Sequence, residues 1–375
     1  MSGLRGTLMN TWLVPLIALL PLASLSPPLA ATEAQKPPVA TRKVVLDKTD
    51  TGYRWKLVEA AVPTLGERQV LVRVRAISLN RGDIEMLEPS GGRDLSGQVV
   101  ASDAAGDVIA VGGRVVGFKP GMRVTSLYFR NWTAGPPNDE AMRDAHGASV
   151  DGVLAEYLVI DDTAVVPAPM GLSYEEAAAL PTAGLTAWSA VTANGAPGPD
   201  DFVLVQGTGG VSTFALQFAA AAGAKVIVTS SSDEKLERAR VLGAHAGINY
   251  RTTPEWPKRV LELTHGRGAD VIVDVGGKNT LPLSAQSLAY NGTLSIVGGL
   301  SGYDGEIPAV NLLMKSARAQ GIYVGSRADY MRMSGFINKH ELRPVIHRVF
   351  PLEQFDEALK LMESGNFVGK IVLKL

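Results

Sequence analysis

Cysteine is absent from the 375 residues. Its absence excludes disulfides, thiolate nucleophiles and every zinc site that needs a cysteine ligand. An excess of charge of either sign is lacking too. Lys and Arg number 36 against 37 Asp and Glu, a formal net charge of −1, so nothing electrostatic calls for nucleic acid or an anionic membrane as partner. Histidine is scarce: five residues, at 146, 245, 265, 340 and 347, share no metal-ligand spacing. There is no internal repeat, no collagen-like period and no low-complexity run. The bulk-apolar run Trp12–Leu25 falls short of the roughly 20 residues that a bilayer-spanning helix needs, and Pro15 and Pro21 interrupt it.

What is present divides into three stretches. Arg5, the run to Leu25 and the small-residue and proline exit that follows have the order of a secretory signal peptide. Residues 1–40 are therefore set apart as a signal-like leader and linker. Two expectations follow for localisation: periplasmic or secreted if the leader acts, cytoplasmic if the true start lies nearer Val39.

The remaining length is too great for one typical core and suits two domains. From Thr41 to about Pro169 short apolar or alternating segments are broken by Gly, Pro and charge, the pattern of a β-rich, partly open barrel. Pro120–Gly121 sits where a tight turn wants it. After Leu172 a helix-rich stretch, capped by Ser173 with Glu175 and Glu176 in its first turn, leads into strand–helix alternation. Largely apolar runs such as 271–275 are what a parallel sheet buried on both faces requires. The tail predicts a strand at 320–325, a helix over 327–341 and a last strand at 370–375. That last strand cannot stand alone and is expected to rejoin the N-terminal β domain.

The chemistry centres on one turn. Residues 207–212, Gly-Thr-Gly-Gly-Val-Ser, follow the apolar strand 202–205 and open a helix, the context that makes a glycine-rich turn a dinucleotide site. Gly207 allows the turn, Gly209 lets backbone N–H groups approach a pyrophosphate, and the helix N-terminus favours the anion. Ser212 replaces the third glycine and is small enough for close packing. With Thr208, Gly210 and Val211, these residues form the candidate cofactor cradle of a Rossmann half. The next strand ends in Thr229, Ser230, Ser231 and Ser232, where an NAD site commonly carries a carboxylate. Hydroxyls with Lys235 and Tyr250 nearby suit a 2′-phosphate, so NADPH is the expected cofactor rather than NADH. The alternative is that the serines cap the following helix and Lys235 is solvated surface, and both readings can hold together.

These motifs, in their order, resemble the medium-chain dehydrogenase/reductase superfamily, and within it the zinc-free branch of quinone oxidoreductases and related alcohol dehydrogenase-like proteins. The anchors are residues 77–83, 102–112, 118–124, 151–157, 180–188, the glycine turn, 321–327 and 369–373. The resemblance implies an α/β fold in which a Rossmann doubly wound parallel sheet is inserted in a discontinuous GroES-like β-barrel domain. The barrel domain would take 41–168 and 342–375, and the NADP-binding domain 169–341. In zinc-dependent relatives three metal ligands fall where this chain has Asn80, about Ser102 and Thr182, so no zinc is expected. The resemblance implies hydride transfer from NADPH to a quinone, an enone or a related carbonyl. Asn80 and Arg81 would lie at the substrate cleft, with Asp83 and Arg81 alternatively a structural ion pair and Tyr128 a further proton donor. Thr186 would flank the nicotinamide, while Gly276, Val297, Gly298, Gly299, Val324, Gly325 and Ser326 would line the cofactor channel. A small-molecule substrate and a homodimer paired through the 321–325 strand complete the expectation. An alcohol dehydrogenase-like enzyme of other substrate range and a non-catalytic NADPH-binding protein stand as alternatives.

Overall fold

A computed structural model describes residues 38–88 and 92–375. The leader-like segment up to Pro37 lies outside the described residues. Among them, no helix is long and apolar enough to cross a membrane.

Alternating and β-branched segments make the first seven strands. They are β1 (Ala40–Lys48), β2 (Tyr53–Ala61), β3 (Gln69–Ser78), β4 (Asp103–Val111), β5 (Arg123–Ser126), β6 (Tyr157–Asp161) and β7 (Val165–Pro167). β1 and β2 form an antiparallel ribbon with Ala40 opposite Ala61 and Lys48 opposite Tyr53. β3 is the hub, antiparallel to both β4 and β6. Its inward residues Val70, Val72, Val74 and Ile77 join Leu46, Trp55 and Phe350 in one core. The Pro120–Gly121 turn forms as expected, with Gly121 at φ +88° and Met122 N–H reaching Lys119 O at 3.2 Å.

The alternating βα region supplies β8 (Phe202–Gln206), β9 (Lys225–Ser230), β10 (Ala246–Asn249), β11 (Ala269–Asp274), β12 (Leu288–Ile296) and β13 (Arg318–Gly321). These strands form a parallel sheet in the order β10-β9-β8-β11-β12-β13. Every residue of β8 is buried, because successive side chains enter different apolar layers. Val203 and Val205 face Phe214 and Phe218, whereas Phe202 and Leu204 face Trp256 and Val260. Each such buried side chain contributes about 1.5–3 kcal/mol relative to exposure. The strand order reverses between β8 and β11, and a ligand crevice lies beyond the carboxyl ends of strands at such a point.

The chain then returns. β14 (Ile346–Pro351) and β15 (Lys370–Lys374) close it, and β15 pairs antiparallel with β3, Val372 opposite Ser78. The barrel sheet runs β14-β15-β3-β4-β5-β7. Ties between the regions include Thr125 Oγ1, which donates to Tyr330 Oη at 2.9 Å, and Arg327, which reaches the carbonyls of Asp162, Thr163 and Val165.

One strand is displaced from its expected place. The sheet-edge ladder is Arg318–Gly321 rather than the apolar residues after it. Ile322 and Val324 turn inward and are buried, and Val324 takes a left-handed φ of +59°, which a ladder does not accept.

Candidate functional site

The glycine turn has the geometry of an anion cradle. Gly207 holds φ +74° and donates its N–H to Thr229 O at 2.7 Å. Ser212 is buried and donates to Gln206 O at 2.7 Å, tying the helix Gly210–Ala221 to the end of β8. Gly209 stands at the helix N-terminus with nothing within 4 Å of the place a Cβ would occupy, so a phosphate has room beside free N–H groups. Thr208 O accepts from Gly369 N–H at 3.0 Å, which brings the returning segment onto the turn.

A buried carboxylate fixes the opposite wall. Asp274 Oδ2 accepts from Gln206 Nε2 at 2.9 Å and Ser284 Oγ at 2.6 Å. Its Oδ1 accepts from the N–H groups of Gly276 and Gly277, both at 3.0 Å, and from Thr280 Oγ1 at 2.7 Å. The loop containing Gly276 is thereby held at the switch point. Gly298 and Gly299 follow β12 into the same crevice: Gly298 donates to Asp274 O, and Gly299 lies against Gly277 and Tyr303. Val297 donates its N–H to Asp274 O at 2.8 Å.

At the tip of β9, Ser230 is buried and Tyr250 N–H reaches its carbonyl at 3.0 Å, while the Tyr250 ring is exposed. Ser232 caps the helix Asp233–Val241 by accepting from Lys235 N–H at 3.4 Å, leaving half-buried Ser231 between the two. The Lys235 ammonium is anchored to Gly365 O at 2.7 Å. Arg348 and His347 approach from the returning segment. Burial and the charges of Arg238, Arg348 and Lys235 hold the His347 imidazole below its usual range.

The expected substrate end is organised by residues from four segments. Asn80 donates to Ser102 Oγ at 3.3 Å and to Asp103 Oδ2 at 3.0 Å. Asp103 also accepts from Ser102 Oγ at 2.9 Å, Thr182 Oγ1 at 2.6 Å and Thr182 N–H at 3.1 Å. The Lys370 ammonium completes the cluster by donating to Leu79 O and Asn80 Oδ1. Burial lowers the affinity of Lys370 for its proton. Asn80 N–H caps Asp83 Oδ2 at 2.7 Å. Burial pushes the Asp83 carboxyl up to about 7, against the opposing pull of that bond.

The sequence expectations are sorted by this geometry. Asn80 is in the cluster, yet both amide hydrogens and its oxygen are engaged within it. Arg81 is exposed and lies 3.7 Å from Glu85; Asp83 serves the helix start, so the Arg81–Asp83 ion pair does not form. Tyr128 Oη lies 3.0 Å from Tyr323 Oη, and burial with that bond drives its phenol far upward. Thr186 is buried on the helix Leu185–Thr192. Gly325 lies against Leu185 and Ser189. Ser326 caps the helix Arg327–His340 through Asp329, so its hydroxyl has a structural partner. Sequence reasoning did not pick out Asp103 or Lys370 as site residues. Both lie inside motifs already singled out, at 102–112 and 369–373, but their inward direction is set by strand register.

Comparison with known proteins agrees with this architecture. Residues 66–170 match the alcohol dehydrogenase GroES-like domain and residues 210–339 the zinc-binding dehydrogenase model. A zinc-type alcohol dehydrogenase-like protein of Schizosaccharomyces pombe is 41% identical over 346 residues, covering 90% of this chain and 100% of that one. The chain belongs to the medium-chain dehydrogenase/reductase superfamily. This alcohol dehydrogenase-like member is an NAD(P)H-dependent oxidoreductase. A crystal structure of a candidate alcohol dehydrogenase from Sinorhizobium meliloti 1021 superposes with TM-score 0.85 at 41% identity, covering 90% of this chain and 99% of that one. The 2-octenoyl-CoA carboxylase reductase CinF, solved with NADP and 2-octenoyl-CoA, has TM-score 0.80 at 26% identity, covering 91% and 89%.

Proposed function

We propose that this dehydrogenase/reductase is a zinc-independent, NADPH-dependent reductase of quinones, enones or related carbonyl compounds. The observation that carries the reading is the cluster around Asp103. At the three positions that hold metal ligands in zinc-dependent relatives stand an amide and two hydroxyls, and the hydrogens they donate go to one another and to Asp103. Amide and hydroxyl oxygens are poor zinc ligands beside thiolate and imidazole, so this donor set does not fit the ion. Among the described residues no three His, Cys, Asp or Glu side chains gather where they could hold a metal.

The residues at the turn fit a dinucleotide. Gly207 to Val211 would hold the pyrophosphate, and Ser230, Ser231 and Lys235 the adenosine end. When bound, the reduced nicotinamide supplies a hydride. A conjugated acceptor spreads the charge that this leaves, so hydrogen bonding and orientation by the chain can stand in for a Lewis acid. The acyl-CoA in the CinF complex is a conjugated carbonyl of this kind.

The test is turnover. Protein treated with a chelator should oxidise NADPH saturably with at least one quinone, enone or conjugated thioester, and added zinc should change nothing. Tight NADPH binding with no turnover on the whole panel would favour a non-catalytic binding protein instead.

The exposed edge supports a homodimer as part of this proposal. All four residues of β13 are exposed, and the neighbouring helix Ala309–Lys315 exposes Val310, Leu313 and Met314. Unpaired edges beside apolar surface invite a second copy. Sedimentation should give a dimer that Leu313→Asp converts to monomer; a monomeric parent rejects it.

A further inference from the structure

We propose that Tyr303 and Tyr323, buttressed by Tyr128, form an aromatic wall at the mouth of the substrate cleft that selects acceptors carrying an aromatic ring. The inference rests on the reductase reading above and names the substrate class of that same site.

The three tyrosines come from three segments. Tyr128 follows β5, two residues beyond Ser126, whose hydroxyl accepts from Ala104 N–H at 2.9 Å and donates to Ser102 O at 2.8 Å. Tyr323 lies between β13 and the helix Arg327–His340. Its neighbours Ile322 and Val324 are buried, so the ring between them faces out and is 55% exposed. Val324 holds this arrangement at φ +59°. That value is strained for a β-branched residue, and such strain gathers at functional positions. Gly325 then packs on Leu185 and Ser189, in the helix that continues the wide turn Leu180–Gly184 carrying Thr182. Tyr303 comes from the loop after β12 and is 79% exposed. Its ring lies so close to Gly299 that a Cβ there would stand 2.7 Å from Tyr303 Cδ1, at the crevice where Gly299 meets Gly277.

The rings have fixed geometry and buried support. Tyr128 and Tyr323 meet edge to face with centroids 5.8 Å apart, and their hydroxyls lie 3.0 Å from one another. Buried Phe129 meets Tyr128 at 4.8 Å, Tyr323 at 5.3 Å and buried Trp132 at 5.8 Å, each edge to face. Desolvation, the bond to Tyr323 and then the charges of Asp103 and Asp83 raise the Tyr128 phenol. Desolvation, Glu85 and Tyr323 raise the Tyr303 phenol, while Arg81 opposes them. The wall thus runs from within electrostatic reach of Asp103, past the helix Arg81–Glu85, to the crevice edge at Gly299.

A flat aryl group entering between this wall and the Asp103 cluster gains twice. It leaves water, and it meets phenol rings in the offset or edge-to-face arrangements that aromatic pairs prefer. An alkyl chain of the same size gains only from leaving water.

The experiment uses the full chain and its Tyr303→Leu, Tyr323→Leu, Tyr323→Phe and double Leu variants, with one enone head carrying either a phenyl ring or an n-hexyl chain. The ratio of kcat/KM for the two acceptors is compared between proteins, which cancels their intrinsic difference in reactivity. Each single Leu variant should lower the phenyl-to-hexyl ratio about threefold and the double variant about tenfold, within what aromatic pairing adds beyond buried area. Tyr323→Phe keeps the ring and should keep the ratio. Calorimetric titration of the corresponding saturated ketones into NADP⁺-loaded protein, where no hydride is available, should show the same preference in Kd and the same losses. A double variant whose ratio and Kd preference equal the parent's overturns the wall. Loss of the preference in Tyr323→Phe assigns it to the hydroxyl pair and overturns the ring contact. If the double variant does not fold, the single Leu variants decide. A parent that prefers the phenyl ketone in binding yet reduces no acceptor leaves the wall standing as a binding site and overturns the reductase reading. A parent that reduces both acceptors yet binds the two ketones equally does the reverse.

Discussion

The stem of Lys370 crosses Gly210 so closely that a Cβ there would stand 2.5 Å from Lys370 Cδ. The same ammonium reaches Leu79 O and Asn80 Oδ1. One buried side chain from the last strand therefore spans from the cofactor turn to the candidate substrate site. Two adjacent glycines consequently serve different purposes. Gly210 is small so that Lys370 can pass, whereas Gly209 is small toward open space.

Alanine at each position should separate these purposes. Gly210→Ala forces Lys370 or Ala183 to move, and overpacking of this kind costs about 1–3 kcal/mol. Its thermal midpoint should fall and its NADPH affinity should weaken as well. Gly209→Ala meets no neighbour in the free protein and has φ −75°, a value alanine adopts readily. Its midpoint should stay at the parent's value while NADPH affinity falls about tenfold, equivalent to about 1.4 kcal/mol. Differential scanning fluorimetry with and without NADPH measures both. Equal midpoints for the two variants would show that Lys370 does not restrict Gly210.

Acid should destabilise the barrel domain through His146. The imidazole is buried and Nδ1–H donates to Leu127 O at 2.8 Å; burial drops its pKa from 6.5 to about 4. Between those two values the unfolded chain binds a proton that the folded chain refuses, so stability rises with pH across the window and is lost as pH falls. Replacing His146 by Gln removes that linkage. Urea unfolding from pH 7 to pH 4 should give a shallower decline in the Gln variant, and parallel slopes would count against the assignment. Asp83 opposes His146 in the parent. Its carboxyl, raised by burial to about 7, contributes stability that is present below about pH 4 and fades as pH rises toward 7. The comparison must therefore be of slopes between parent and variant rather than of absolute stability.

The parts legible in the sequence were those set by local pattern. The strand 202–206, the turn at Gly207 and the helix after it follow from apolar periodicity and from a conformation that glycine adopts without strain. Ser173 and Ser232 as caps follow from the residues that cap helices. The destination of the last strand followed from a simple requirement, since an isolated strand cannot satisfy its backbone. The displaced edge strand had no such signal: residues 322–324 have strand-forming composition, but burial of Ile322 and Val324 and the left-handed turn at Val324 draw them out of the ladder. The site around Asp103 was least legible. Its members lie at 80, 102–103, 182 and 370, and only the pairing of β3 with β4 and β15, together with the wide turn at Thr182, brings them together. Carboxylate and ammonium groups in strands read as surface until the register turns them inward.

Lys235 offers the sharpest test of cofactor choice. Its ammonium rests on Gly365 O at 2.7 Å, at the end of the helix Phe355–Ser364, where a cation suits the exposed carbonyls. With Arg238 and Arg348 it surrounds His347, whose imidazole burial and these charges hold below its usual range. A 2′-phosphate entering there would meet Lys235 and Arg238 from the helix Asp233–Val241 and Arg348 from the returning segment, with Ser230 and Ser231 at the strand end where an NAD site commonly carries a carboxylate. Exchanging a carbonyl for a phosphate at this exposed lysine converts a neutral acceptor into a charged one, and charge-assisted bonds are roughly twice as strong. Lys235→Ala should therefore weaken NADPH about tenfold, equivalent to about 1.4 kcal/mol, while NADH affinity stays at the parent's value. Raising the salt concentration should narrow the gap between the two cofactors in the parent, because exposed charge pairs are screened. Calorimetric titration of both cofactors at two salt concentrations makes the comparison. Equal losses for NADPH and NADH would assign Lys235 to the Gly365 carbonyl alone and remove the preference for the phosphorylated cofactor.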